Sequence, residues 1–152
     1  MALVQRTREN ASDGDGALLI RTDFDQQQVW DDLCELIRKY PAEGLLTDLL
    51  LIDDSCYEGA TAEQLLNLVP DDAGYPYIAI ADAVTAELAE RPQDRSLLIV
   101  DSGYLDDEDE AGGTLRALVS EFPSIDANLS IANMEFGDYA EAADVDGVFR
   151  GF

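Results

Sequence analysis

The sequence predicts one α/β domain, a mixed and mostly parallel sheet of about five strands covered by helices. Three observations carry this prediction. Four apolar runs end on an aspartate: Leu18–Asp23 (LLIRTD), Leu49–Asp54 (LLLIDD), Tyr77–Asp82 (YIAIAD) and Leu97–Asp101 (LLIVD). Between them lie segments whose apolar residues recur at helical spacing. Finally, 152 residues with 47% hydrophobic content suffice for one domain with a real core.

Residues 1–16 are polar and end in DGDG, which predicts a disordered or loosely attached leader before a domain at 17–152. Leu18–Thr22 is short and apolar, the first strand. Asp25 is placed to cap the next helix, with Gln28 as its capping-box partner and Phe24 and Val29 as a hydrophobic staple. Val29, Trp30, Leu33, Cys34, Ile37 and Tyr40 form the apolar face of that helix, which Pro41 closes. Leu45–Asp54 is apolar on both faces, as a strand inside a covered parallel sheet must be. Thr61 and Gln64 form a second capping box, and Leu65, Leu66, Leu68 and Val69 give that helix its apolar side before Pro70.

Tyr75–Asp82 is the third strand, and Ala83–Glu90 a short helix capped by Asp82 or Thr85. Ser96–Asp101 and Thr114–Val119 read as an antiparallel hairpin whose tip carries five consecutive acids, Asp106, Asp107, Glu108, Asp109 and Glu110. Asn128–Met134 and Phe136–Ala143 read as one or two short helices docked on the core. The terminal Val148, Phe149 and Phe152 read as tied down.

Charge narrows the function classes. Thirty-three acids against nine bases give a net charge of −24, and Lys39 is the one lysine. Such a surface repels nucleic acid, where affinity rests on Lys and Arg neutralising phosphates, and it repels anionic membranes. No apolar stretch reaches the roughly 20 residues of a membrane span. There is no apolar core of signal-peptide length at the start, so the expected location is cytoplasmic. The acidity suits three roles: binding a basic protein partner, as an immunity-like neutraliser would; mimicry of nucleic acid by arrayed carboxylates; or adaptation to a salt-rich cytoplasm. The run Asp106–Glu110 is the candidate binding element, because a basic partner would be steered toward it.

There is no histidine. Ser-His-Asp and Cys-His catalysis within this chain are thereby excluded, and Cys34 and Cys56 cannot complete a four-ligand Cys/His zinc site. Cys34, on the apolar face of the first helix, reads as a small buried hydrophobe. No complete catalytic motif is present, so the reading leans away from an enzyme. The alternative places Mg²⁺ among Asp53, Asp54, Asp82 and Asp101, because ligands of open α/β sheets sit beyond the carboxyl ends of the strands. Neither a GxxxxGK[ST] nor a GxGxxG loop accompanies those carboxylates. Asp23-Phe24-Asp25 imitates an aspartyl-phosphate motif without its companion residues, and capping is its better use. Asp144-Val145-Asp146-Gly147 imitates part of a calcium loop without the glutamate that would complete it.

The segments IRTDF (Ile20–Phe24), LIDD (Leu51–Asp54), YIAIAD, LLIVD, NLSIANM and DGVFRGF, with Trp30 and the T-x-E-Q-L-L of Thr61–Leu66, resemble one family. It is a family of small uncharacterised proteins, mostly actinobacterial and some fungal, classed as a domain of unknown function. The resemblance spans Leu18 to Phe152. It implies a single small intracellular α/β domain with no assigned activity or cofactor.

Overall fold

The computed structural model describes residues 17–39, 49–69, 77–85, 87, 94–101, 113–130 and 136–151. In chain order the elements are β1 (Ala17–Arg21), α1 (Gln27–Lys39), β2 (Leu49–Ile52), α2 (Ala62–Leu68), β3 (Tyr77–Ala81), β4 (Ser96–Asp101), β5 (Thr114–Leu118), α3 (Phe122–Ser130), α4 (Phe136–Ala142) and β6 (Val148–Phe149). The strands form one sheet in the order β2-β1-β3-β4-β5-β6. β1 lies parallel to β2 and to β3, with Leu19 opposite both Leu51 and Ala79. β4 is antiparallel to both neighbours, with Ile99 opposite Ala79 and Leu115. The β4–β5 hairpin is therefore present, while its acidic tip lies outside the described residues.

Strand alternation divides the core into two layers. Leu19, Tyr77, Ala79, Leu97, Ile99, Leu115 and Ala117 face one side, where α1 (Trp30, Leu33, Cys34, Ile37), α3 (Phe122, Ile125) and α4 (Tyr139) cover them. Leu18, Ile20, Ile52, Ile78, Ile80 and Val100 face the other, against Leu65 of α2 and Tyr57. All five residues of β3 are buried, because this strand is covered on both faces. Each fully buried aliphatic side chain contributes about 1.5–3 kcal/mol. β3 is also tied to α3 by a polar contact. The Tyr77 hydroxyl donates to the Asp126 carboxylate, with both residues buried. Phe122 meets the Tyr77 ring edge-on at 6.0 Å.

Four elements depart from the sequence reading. α1 begins at Gln27 without the Asp25 capping box: Asp23 Oδ1 accepts the Asp25 N–H at 3.3 Å, and the Gln28 amide turns to Asp32 at 2.8 Å. An Asx turn at Asp23 has displaced the cap. The box at α2 is complete, Gln64 N–H to Thr61 Oγ1 at 3.2 Å and Thr61 N–H to Gln64 Oε1 at 3.0 Å. α3 starts at Phe122, six residues before the expected Asn128. Pro123 sits in its first turn, where a missing N–H costs nothing.

Residues 83–85 form a turn rather than helix, held by Asp82 Oδ1 accepting the Thr85 N–H at 3.1 Å. Glu87, at a bend, donates its N–H to the Val84 carbonyl at 3.1 Å; residues 86 and 88–90 of that expected helix, the stops at Pro41 and Pro70 and the leader lie outside the described residues. Finally, the sheet has a sixth strand. β6 pairs parallel with β5, Phe149 opposite Ala117. Two residues between glycines carry no periodic signal. Pairing and the burial of Phe149 against the Tyr139 ring, 5.1 Å away, create this strand.

Candidate functional site

β1, β2 and β3 run the same way, so their carboxyl ends share one edge of the sheet. β1 is central among them. The chain leaves it through α1 on one face and arrives at β3 through α2 on the other. The gap between the ends of β1 and β3 is thus a topological switch point, where ligands of open α/β sheets bind.

The four candidate carboxylates fare differently here. Asp53 pairs with Arg21 at 3.2 Å and is 45% exposed. Asp54 accepts the Cys56 N–H at 3.0 Å and caps the short 3-10 turn Ser55–Tyr57. Asp82 accepts from Thr85 and pairs with Arg116, which also donates to Ser96 Oγ at 3.3 Å. Asp101 lies at the opposite edge, across from Tyr77, because β4 runs antiparallel to β3. Five strand residues separate it from the Asp82 end, about 17 Å. Three of the four thus share an edge, each with a partner of its own, and the fourth does not. Among the described residues, no three His, Cys, Asp or Glu stand close enough to hold a metal ion. Asp106–Glu110 lie outside the described residues.

The edge is organised around a residue that sequence reasoning passed over. Arg21 ends β1 in the register of Leu19, pointing to the α1 side, and is 2% exposed. Its Nε donates to the Asp23 carbonyl at 3.0 Å, and its Nη1 to Gln27 Oε1 at 2.9 Å and to Asp53. The guanidinium lies 4.3 Å from the Phe24 ring centre and 5.6 Å from that of Trp30. Its Nη2 is buried and finds no hydrogen-bond partner among the described residues. Beside it opens a shallow crevice with room for about one water, lined by Arg21, Val29, Trp30, Leu33, Ala81 and Thr85 among others. The available signal was an arginine closing the otherwise apolar run ALLIR, a cation where the strand should be buried.

Neither thiol is activated. Burial pushes Cys34 up to about 11, and desolvation with the adjacent Asp54 raises the exposed Cys56. Both shifts oppose thiolate formation.

Of the six described cations, four are engaged within the fold. Arg21, Arg95, Arg116 and Arg150 pair with Asp53, Asp32, Asp82 and Asp144/Asp146 respectively. The Arg150 contacts hold Asp146 below the usual carboxylate range. Arg38 and Lys39 occupy the last turn of α1, where they complement the helix dipole.

No curated protein matches the chain. Among solved structures, a prolyl-tRNA synthetase from Cryptosporidium parvum complexed with L-proline and AMP is similar at 11% identity and a TM-score of 0.45. The match covers 84% of this chain and 24% of that one, so the chain spans about a quarter of its length. A likeness at that level carries no functional argument. The family model that matches is a domain of unknown function (DUF6924), over residues 16–152, and the chain belongs to that family.

Proposed function

We propose that this protein is a non-enzymatic binding module whose acidic surface engages a basic partner protein. The observation that carries this reading is the fate of the cations. The net charge is −24, and four of the six described basic residues are held in ion pairs with aspartates. Among the described residues this leaves Arg38 and Lys39, in the last turn of α1, to interrupt the acidic field. A field of that kind accelerates encounter with a cationic surface and disfavours anionic partners. Asp106–Glu110 is the proposed point of first contact, and neutralisation of a basic effector, as by an immunity protein, is the most concrete form of the role. A Mg²⁺-dependent reaction at Asp53, Asp54, Asp82 and Asp101 finds less support, since Asp101 occupies the far edge of the sheet.

The test begins with affinity capture from native cells at about 0.05 M and about 0.5 M salt, which differ several-fold in screening. A basic protein retained at low salt and released at high salt is expected. The same pair, purified, must associate faster as salt falls, and more slowly when Asp106–Glu110 are changed to Asn and Gln. Capture of no basic partner, or association insensitive to those changes, overturns the proposal.

A further inference from the structure

We infer that Asp146–Gly147 is a self-modification site held closed by Arg150: an isoaspartyl linkage forms there once that clamp opens, and it unseats β6. This goes beyond the surface interaction proposed above and uses a different part of the molecule.

The chemistry is that of the dipeptide itself. The Gly147 nitrogen is free of the steric hindrance that a following side chain would impose, and it attacks the side-chain carboxyl carbon of Asp146. A bond forms between nitrogen and carbon, the nitrogen gives up its proton and the neutral carboxyl its hydroxyl. One water leaves and a five-membered succinimide remains. Water then returns to either ring carbonyl. Opening at the main-chain carbonyl leaves the chain running through the side chain, one methylene longer than before. Water is the only species released and consumed.

The surroundings admit this reaction and restrain it. Asp146 is 54% exposed, so water reaches it. Gly147 adopts φ 82°, with open space where a Cβ would stand. Both reacting groups are nevertheless held. The Gly147 N–H donates to the Asp144 carbonyl at 2.8 Å. Arg150 grips Asp146 through two bonds, Nη1 to Oδ1 at 3.0 Å and Nη2 to Oδ2 at 2.6 Å, and such a bidentate pair fixes direction as well as charge. Asp146 Oδ1 also accepts the Val148 N–H at 3.2 Å, and Asp144 braces Arg150 at 2.7 Å. The pair keeps Asp146 ionised, whereas hydroxyl leaves only from the neutral acid.

The position of the turn gives the modification its consequence. The Asp144 N–H donates to the carbonyl of Val148 at 3.0 Å, and Val148 is where β6 begins. An added main-chain methylene after Asp146 breaks that spacing. Phe149 then no longer lies opposite Ala117 with its ring against Tyr139.

The full chain is incubated at neutral pH, and isoaspartate at residue 146 is followed by peptide mapping, which separates the two linkages by retention and fragmentation. The same chain in guanidinium chloride gives the unclamped rate. The folded parent should react about tenfold more slowly than the denatured chain, because bonds on both reacting groups must break first. Arg150→Gln should react about fivefold faster than the folded parent. Arg150→Lys keeps the charge without the fork and should fall between them. Hydrogen exchange at the Asp144 N–H should stay slow in Arg150→Gln, where the turn persists, and become fast in the purified isoaspartyl form. The inference is overturned by no isoaspartate in the denatured chain, by a folded parent as fast as the denatured one, or by Arg150→Gln at the parent's rate. A fast Arg150→Gln that has also lost Asp144 protection overturns it too, since the strand and not the clamp would be the lock, as does an isoaspartyl form with that protection intact.

Discussion

Removing Arg21 should cost far more than removing its ionic partner. Two unit charges 3.2 Å apart attract by about 5 kcal/mol at an effective dielectric of about 20. Asp53 is 45% exposed, however, so solvent screening and side-chain entropy reduce the net value to about 1 kcal/mol or less. Asp53→Ala should therefore cost about that amount. Arg21→Ala loses the bonds to Asp23, Gln27 and Asp53 at about 1 kcal/mol each. It also loses the contact with Phe24, about 0.5–1 kcal/mol, and leaves a cavity where the stem was, for about 4–5 kcal/mol in all. Arg21→Met keeps the stem and most of the volume, and the vacated Gln27 and Asp53 can turn to water, so it should cost only about 1–2 kcal/mol. Urea unfolding followed by Trp30 fluorescence measures all three, provided the slope m stays constant. If Asp53→Ala proves as costly as Arg21→Ala, the ion pair dominates and the account of Arg21 as a packed, multiply bonded strand terminus is wrong. If Arg21→Met equals Arg21→Ala, hydrogen bonding outweighs stem packing and the ledger fails on that side.

Tyr77→Phe strips the buried Asp126 carboxylate of a donor and should destabilise by about 1–3 kcal/mol, read as a lower urea midpoint. Burial first, and then Asp126, hold Tyr77 well above its ordinary value of 10.0. The folded state therefore keeps a proton that the unfolded state releases: stability is intact below pH 10 and falls as pH rises beyond it. Cys34, raised from 9.0 to about 11 by burial, adds a decline that begins near pH 9. Tyr77→Phe should flatten the alkaline limb, and melts from neutral to strongly alkaline pH would show an unchanged limb if the assignment is wrong. Thr61→Ala breaks a complete capping box and should cost about 1 kcal/mol; a change below a few tenths would mean that α2 is held by Leu65 alone. Asp82→Asn and Asp101→Asn should be additive within about 0.3–0.5 kcal/mol with or without Mg²⁺, since they stand at opposite edges. Coupling that appears only with Mg²⁺ would mean a shared ion.

Much of the fold was legible because its signals are local. The short continuous apolar runs YIAIA and LLLI mark buried strands, and the Thr61–Gln64 spacing marks a helix start that the structure realises bond for bond. Where two local options competed, the sequence was ambiguous. Asp23 and Asp25 can each accept a backbone N–H, and the geometry of the loop after β1 decided for Asp23. β6 lay beyond local reading altogether. Val148 and Phe149 become a strand only because β5 offers an edge and Tyr139 covers the Phe149 ring.

Strand direction separates what was legible in the site from what was not. The row of terminal aspartates is real, yet a carboxylate at the end of a strand marks one edge only if the strands are parallel. β4 reverses, which moves Asp101 from the row to the far side of the sheet. The three that remain are then explained by their partners: Arg21 for Asp53, the 3-10 turn for Asp54, Thr85 and Arg116 for Asp82. What remains at the switch point is Arg21, buried and bound to Asp23, Gln27 and Asp53. It ties the end of β1 to the loop after β2 and to the start of α1, so the edge that the aspartates marked as a candidate site is held together by a structural cation.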